Sequence, residues 1–147
     1  MRSTPPFYPQ ETPDSCVPAC LRMVLAELGV VVSELEMRQM CDCTIFGTEA
    51  FQAVEAARRV GFPKARKENL TMAQLDRLVA QGVFPIVYVG LVGSNRVRGI
   101  HALVVIEIDE SDVGVLDPLV GECRVERSHF EAAFRLTNGL TIVAAEV

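Results

Sequence analysis

Apolar residues recur at helical spacing in the first half of the chain and gather into short unbroken runs in the second. From Cys16 onward, Leu21, Val24, Leu25 and Leu28 share one face and Gly29 follows. This predicts a helix capped by Asp14 or Ser15, with Pro18 in the first turn, where a missing N–H is tolerated. Ser33-x-x-Glu36 is a capping-box pattern for a short second helix through Met40. Thr48 opens a third, with Phe51, Val54, Ala57 and Val60 apolar and Gly61 closing it. Thr71-x-x-Gln74 opens a fourth, with Leu75, Leu78 and Val79 apolar and Gly82 as its stop.

Runs over 84–89, 101–108, 113–116 and 140–147 are apolar and rich in β-branched residues, and they predict strands. The polar stretch 109–112 supplies the turn between the second and third of these. Ser128-x-x-Glu131 predicts one further helical turn before the last strand. Helices first and strands afterwards, without alternation, predict an α+β fold in which N-terminal helices pack on a C-terminal antiparallel sheet. The expectation is a single domain spanning 1–147, since no repeat or Pro/Gly/Ser linker divides the chain.

Composition narrows the function classes. Half the residues are hydrophobic, which excludes a disordered chain. The formal charge of −5 argues against a general nucleic-acid binder, which needs a basic stripe. No apolar run approaches the ~20 residues of a membrane-spanning helix. The N-terminal MRSTPPFYPQETPDS lacks the apolar core of an export signal, so a cytoplasmic protein, or a soluble piece of a larger assembly, is expected. An odd set of five cysteines in such a chain does not suggest a disulfide framework. Cys41-Asp42-Cys43 has no second pair at ligand spacing and the only histidines are His101 and His129, so no metal is expected. Cys20, Cys41, Cys43 and Cys123 read as small buried hydrophobes.

The candidate chemistry begins at Cys16. A cysteine in the first turn of a helix meets the positive end of the macrodipole and free N–H groups, which favour the thiolate. His101 begins one strand and Asp117 ends the next. A hairpin turning over 109–112 brings residue 117 back roughly opposite residue 101. A carboxylate beside an imidazole fixes its tautomer and stabilises its protonated form. A histidine so held near Cys16 makes a nucleophile, base and orienting acid in the order Cys, His, Asp. Gln10, six residues before Cys16, stands where a papain-like site keeps a side-chain amide for the oxyanion, beside the cysteine's own N–H.

Gln10-x5-Cys16, followed by CVPACLRMVLAELGV, resembles the N-terminal motif of the bacteriocin-processing, double-glycine-specific cysteine peptidases. HALVVIEID and VLDPLVG resemble that family's His and Asp segments, and Cys20-Leu21, Gly29, Gly61 and Pro85 follow its pattern. The resemblance covers nearly the whole chain. It implies a papain-like fold and a metal-free, cofactor-free peptide hydrolase. In that scheme Cys16 is nucleophile, His101 general base and acid, Asp117 the orienting carboxylate and Gln10 the oxyanion donor. It further implies a leader peptide ending in Gly-Gly or Gly-Ala as substrate, association with a peptide exporter, and here a stand-alone domain without the transporter. Three features depart from the family pattern. Val17 replaces a glycine after the nucleophile, Pro18 stiffens the turn, and Phe130 and Phe134 stand where a tryptophan is common.

Other functions draw on the same residues. A papain-like acyl or peptidyl transferase would use the same groups with an amine in place of water. A non-catalytic peptide-binding relative would keep the fold without turnover. A redox protein built on Cys16 and Cys20 is disfavoured by their C-x3-C spacing. The glycine-rich segment 90–99, with Arg96 and Arg98, leads directly into His101 and is a candidate substrate-gating loop, or else a plain hairpin connection.

Overall fold

The computed structural model describes residues 4–90 and 99–144. The helices are α1 (Cys16–Glu27), α2 (Glu34–Met40), α3 (Ala50–Arg59), α4 (Met72–Ala80) and α5 (Arg127–Arg135). The strands are β1 (Arg66–Asn69), β2 (Ile86–Gly90), β3 (Ile100–Ile108), β4 (Asp112–Asp117), β5 (Gly121–Glu126) and β6 (Leu140–Val143). They form one sheet in the order β1-β6-β2-β3-β4-β5, with every neighbouring pair antiparallel. This is the expected α+β arrangement, with α1, α2 and α3 preceding the sheet they cover.

Both faces of the sheet are buried. Leu21, Leu25, Met37 and Ala53 of the first three helices share a core with Ile86, Tyr88, Ala102 and Val104. The alternate residues Val87, Val89, Leu103 and Val105 enter a second core with Leu75 and Val79 of α4 and Phe130 and Phe134 of α5. A strand with a core on each side needs apolar residues at every position, which is why β2 reads as an unbroken run. Phe130 and Phe134 stack with ring centroids 5.7 Å apart, filling the second core. Each large side chain so buried contributes about 1.5–3 kcal/mol. Gly29, Gly61 and Gly82 all adopt positive φ just past the ends of α1, α3 and α4, as their positions in the sequence predict.

Several elements depart from the sequence expectation. β1 and β5 were not anticipated. They are the two edge strands, with sequences RKEN and GECRVE in which half-buried and exposed positions alternate, so they carry no apolar run to detect. α3 is preceded by Glu49 rather than Thr48 as its cap residue, and the Glu49 N–H donates to Gln52 Oε1 at 2.9 Å. Thr48 is buried one step earlier, where its carbonyl accepts the Tyr88 hydroxyl at 3.0 Å. Phe51, expected on the buried face of α3, is half exposed. α5 is a full nine-residue helix starting at Arg127, longer than the single turn expected from Ser128. Cys20 and Cys41 are buried as expected, whereas Cys43 and Cys123 are only partly so. Cys43 lies in the loop after α2 and Cys123 on an edge strand, where one flank stays open. Residues 91–98 of the glycine-rich segment, including Arg96 and Arg98, lie outside the described residues.

Candidate active site

Cys16 is the first residue of α1. The expected side-chain cap is not made. Ser15 occupies the cap position, but its hydroxyl accepts the Thr12 N–H at 3.1 Å and donates to the Thr12 carbonyl at 3.2 Å. That closed turn over residues 12–15 aims the chain into the helix. The Val17 N–H, the donor that a Ser15 cap would reach, is thus left without that hydroxyl. The Ser15 carbonyl accepts the first helical bond, from Ala19 at 3.0 Å. The other four thiols are each pushed above the ordinary cysteine range, chiefly by burial, with Cys41 raised to about 12 and fully buried Cys20 well above 9.0. For Cys20 the neighbouring Cys16 and Asp117 add to the effect.

His101 and Asp117 meet. His101 Nε2 lies 2.8 Å from Asp117 Oδ1, and the same oxygen accepts the Leu119 N–H at 2.9 Å. Val104 pairs with Leu116 and Val105 with Val115. Continuing that register sets Asp117 beside Leu103, so His101 and Asp117 are diagonal neighbours, not opposite ones as the sequence suggested. Long side chains bridge such a diagonal. The imidazole and the Cys16 side chain line the same cleft. With Nε2 turned to Asp117, Nδ1 is the ring nitrogen left for the sulfur. His101 is 5% exposed, and burial pulls its pKa down. The hydrogen bonds and charges of Asp117 and Cys16 outweigh that pull and raise it from 6.5 to about 9. Burial likewise pushes the Asp117 carboxyl up, but the His101 bond and the backbone N–H groups of Leu119 and Val120 hold it below the usual carboxylate range.

Gln10 is tied to both neighbours. Its backbone N–H donates to the Pro118 carbonyl at 2.9 Å, next to Asp117. Its Nε2 donates to the Thr12 carbonyl at 2.8 Å, which turns the amide toward the loop leading into Cys16. The amide has two N–H groups, so one remains beyond the Thr12 bond. Gln10 Oε1 is buried and accepts no hydrogen bond from the described residues.

A cleft of about 620 Å³ opens beside the pair, lined by Cys16, Val17, His101, Tyr88, Lys67 and an apolar wall of Phe46, Phe51, Ile100 and Leu140. Val17, which stands where the family pattern has a glycine, is buried and lines the cleft. Sequence reasoning missed that wall. Phe46 and Phe51 are 67% and 50% exposed, and the only advance signal was two large apolar residues, Ile45 and Phe46, inside a turn segment. Among the described residues no cluster of three or more His, Cys, Asp or Glu side chains is placed to hold a metal ion.

The model of the peptidase C39 family matches residues 5–146. The chain belongs to the peptidase C39 family. A C39 structure with 27% sequence identity is the peptidase domain of Streptococcus ComA, a bi-functional ABC transporter involved in a quorum-sensing pathway. It superposes with a TM-score of 0.79, covering 95% of this chain and 97% of that domain. A double glycine motif protease from an AMS/PCAT transporter, solved in complex with the leader peptide, shares the fold at 22% identity and a TM-score of 0.78, with coverage of 97% and 91%. An uncharacterised protein of Methanothermobacter marburgensis is 28% identical over 132 residues, spanning 90% of this chain and 83% of that protein. No helix among the described residues of this C39 chain is long and apolar enough to cross a membrane.

Proposed function

We propose that this chain is a cysteine peptidase that cleaves a peptide after a Gly-Gly-type leader sequence, with Cys16 as nucleophile, His101 as general base and acid, Asp117 as orienting carboxylate and Gln10 as oxyanion donor. The observation that carries it is the His101 imidazole, held by Asp117 on one nitrogen and sharing a cleft with Cys16 at the start of α1. A histidine raised to about 9 keeps its proton at neutral pH, which suits a resting thiolate–imidazolium pair. The sulfur attacks the scissile carbonyl carbon. The carbonyl oxygen becomes an oxyanion facing the Cys16 N–H and the Gln10 amide. His101 gives its proton to the leaving amine as the C–N bond breaks, leaving a thioester. His101 then takes a proton from water, the hydroxide attacks the thioester, and the acid product leaves as the thiolate returns.

The names of the ComA and AMS/PCAT relatives support a leader peptide as substrate and an exporter as partner. The apolar wall of the cleft supports an extended or helical peptide with apolar side chains preceding the cleavage site. The deciding experiment follows iodoacetamide labelling at pH 6 by peptide mass spectrometry, for wild type and His101→Ala. Fast labelling confined to Cys16, collapsing in the variant, supports the Cys–His pair, and cleavage of a Gly-Gly peptide by the same preparation completes the case. Labelling of Cys16 that is no faster than Cys123 and indifferent to His101 overturns it.

A further inference from the structure

We propose that Glu34 is a positioning residue for the oxyanion donor Gln10, an inference that rests on the peptidase function proposed above. Glu34 is the one carboxylate among the buried residues described, at 1% exposed. A buried charge is costly unless paired, and a well-packed apolar residue commonly serves stability as well or better. Its two oxygens have distinct tasks. Oε2 faces Arg38 Nε at 3.3 Å, one turn along α2. Oε1 accepts the backbone N–H of Glu11 at 2.9 Å, 23 residues away in sequence.

That N–H belongs to the peptide unit joining Gln10 to Glu11. The Gln10 N–H on the other side is held by the Pro118 carbonyl. Gln10 is therefore pinned at both flanking peptides, to the end of β4 that carries Asp117 and to α2. Arg22, on the helix that carries Cys16, completes the clamp. Its guanidinium lies 4.0 Å over the Tyr8 ring, its Nε donates to the Val32 carbonyl at 2.7 Å, and its NH1 is 3.8 Å from Glu11 Oε2. The arrangement fixes the backbone of a residue whose side chain must meet a developing charge. Misplacement by about 1 Å is enough to cost about 100-fold in rate.

The test separates an effect through Gln10 from a loss of fold. Glu34→Ala is expected to lower kcat for a Gly-Gly peptide by about 10–100-fold, with little change in KM and with Cys16 alkylation at pH 6 unchanged, because alkylation forms no oxyanion. Glu34→Gln retains an acceptor for the Glu11 N–H and is expected to recover most of kcat. In a Gln10→Ala background, Glu34→Ala is expected to cost nothing further. If Glu34→Ala does not fold, the pair Glu34→Leu with Arg38→Leu removes both charges and the acceptor together, and the same kcat loss is expected. Wild-type kcat in that pair or in Glu34→Ala, additive losses with Gln10→Ala, or alkylation falling in parallel with kcat each overturn the role of Glu34. A wild-type protein that neither labels selectively at Cys16 nor cleaves the peptide overturns the peptidase function itself, and Glu34's role with it.

Discussion

Replacing Asp117 with asparagine tests the electrostatics of the site directly. The folded protein raises the His101 pKa from 6.5 to about 9, which corresponds to about 3 kcal/mol of preference for the imidazolium. Burial works against that preference, so the carboxylate and the sulfur together supply more than the net figure. Asparagine keeps the size of Asp117 and an acceptor oxygen but loses the charge. The His101 pKa is then expected to fall toward its ordinary value, and kcat to drop about 10²–10⁴-fold as the imidazole loses its fixed tautomer. In the proposed mechanism His101 gives its proton to the leaving amine, so the basic limb of the wild-type kcat profile should lie near 9 and move down in Asp117→Asn. Stability carries the same signature. Because the folded pKa is raised, the contribution of His101 is fully present below pH 6.5 and is lost as pH rises through about 9. Urea unfolding from pH 6 to 10 should show that decline in wild type and lack it in the variant. NMR of ¹³C-labelled imidazole gives the pKa itself, with His129 as the other signal. A His101 that titrates near 6.5 in wild type, or stays near 9 in Asp117→Asn, refutes the reasoning.

Three further outcomes follow from named contacts. Gln10→Ala should lower kcat/KM about 10²–10³-fold while leaving the rate of Cys16 alkylation unchanged, since only acylation forms an oxyanion; equal losses in both assays would remove Gln10 from the oxyanion site. Phe51→Asp, at a half-exposed position in the cleft wall, should raise KM for an apolar leader peptide about tenfold with Tm unchanged, and an unchanged KM would place the peptide elsewhere. Gly139→Ala should destabilise the fold by about 3 kcal/mol or more in urea unfolding, because φ is +67° and a Cβ there would sit 2.0 Å from the Leu70 carbonyl oxygen, at the bond that joins β1 to β6. A wild-type Tm for that variant would contradict the backbone geometry.

The parts of this fold that were legible in sequence have local causes. Helix ends at Gly29, Gly61 and Gly82 are written in single residues because only glycine takes positive φ without strain. His101 and Asp117 were legible because a short turn forces two strand ends together, although the register, shifted by an irregularity between Val105 and Glu107, makes their contact diagonal. What was not legible depends on distant partners. Glu34 in SELEMRQM looks like any solvent-facing acid in a first helical turn, and only a backbone N–H 23 residues upstream makes it a buried one. Phe51 has the spacing of a core residue, but α3 turns it to the cleft, where it stays half exposed. β1 and β5 were hidden because edge strands are kept polar, which removes the very signal that marks a strand.

Cys16 and His101 are brought together across two layers, and that explains why their geometry depends on residues outside the pair. Cys16 comes from the start of α1 and His101 from the start of β3, so no local turn sets their separation. The packing of α1 against β3 does. Leu21 and Leu25 lie in one core with Ala102 and Val104, and Ala102, the residue after His101, is fully buried and small enough to let the helix approach the strand. The loop before α1 is then fixed from the opposite side, by Pro118 on Gln10 and by Ser15 on Thr12. The Ser15 hydroxyl is spent on Thr12 and not on the Val17 N–H, the donor that a cap at this position would reach, while the Cys16 N–H lies outside the reach of such a cap. A capped helix here would be locally more stable by about 1 kcal/mol, so the Ser15 hydroxyl forgoes that gain to close the turn over Thr12 that leads the chain into Cys16.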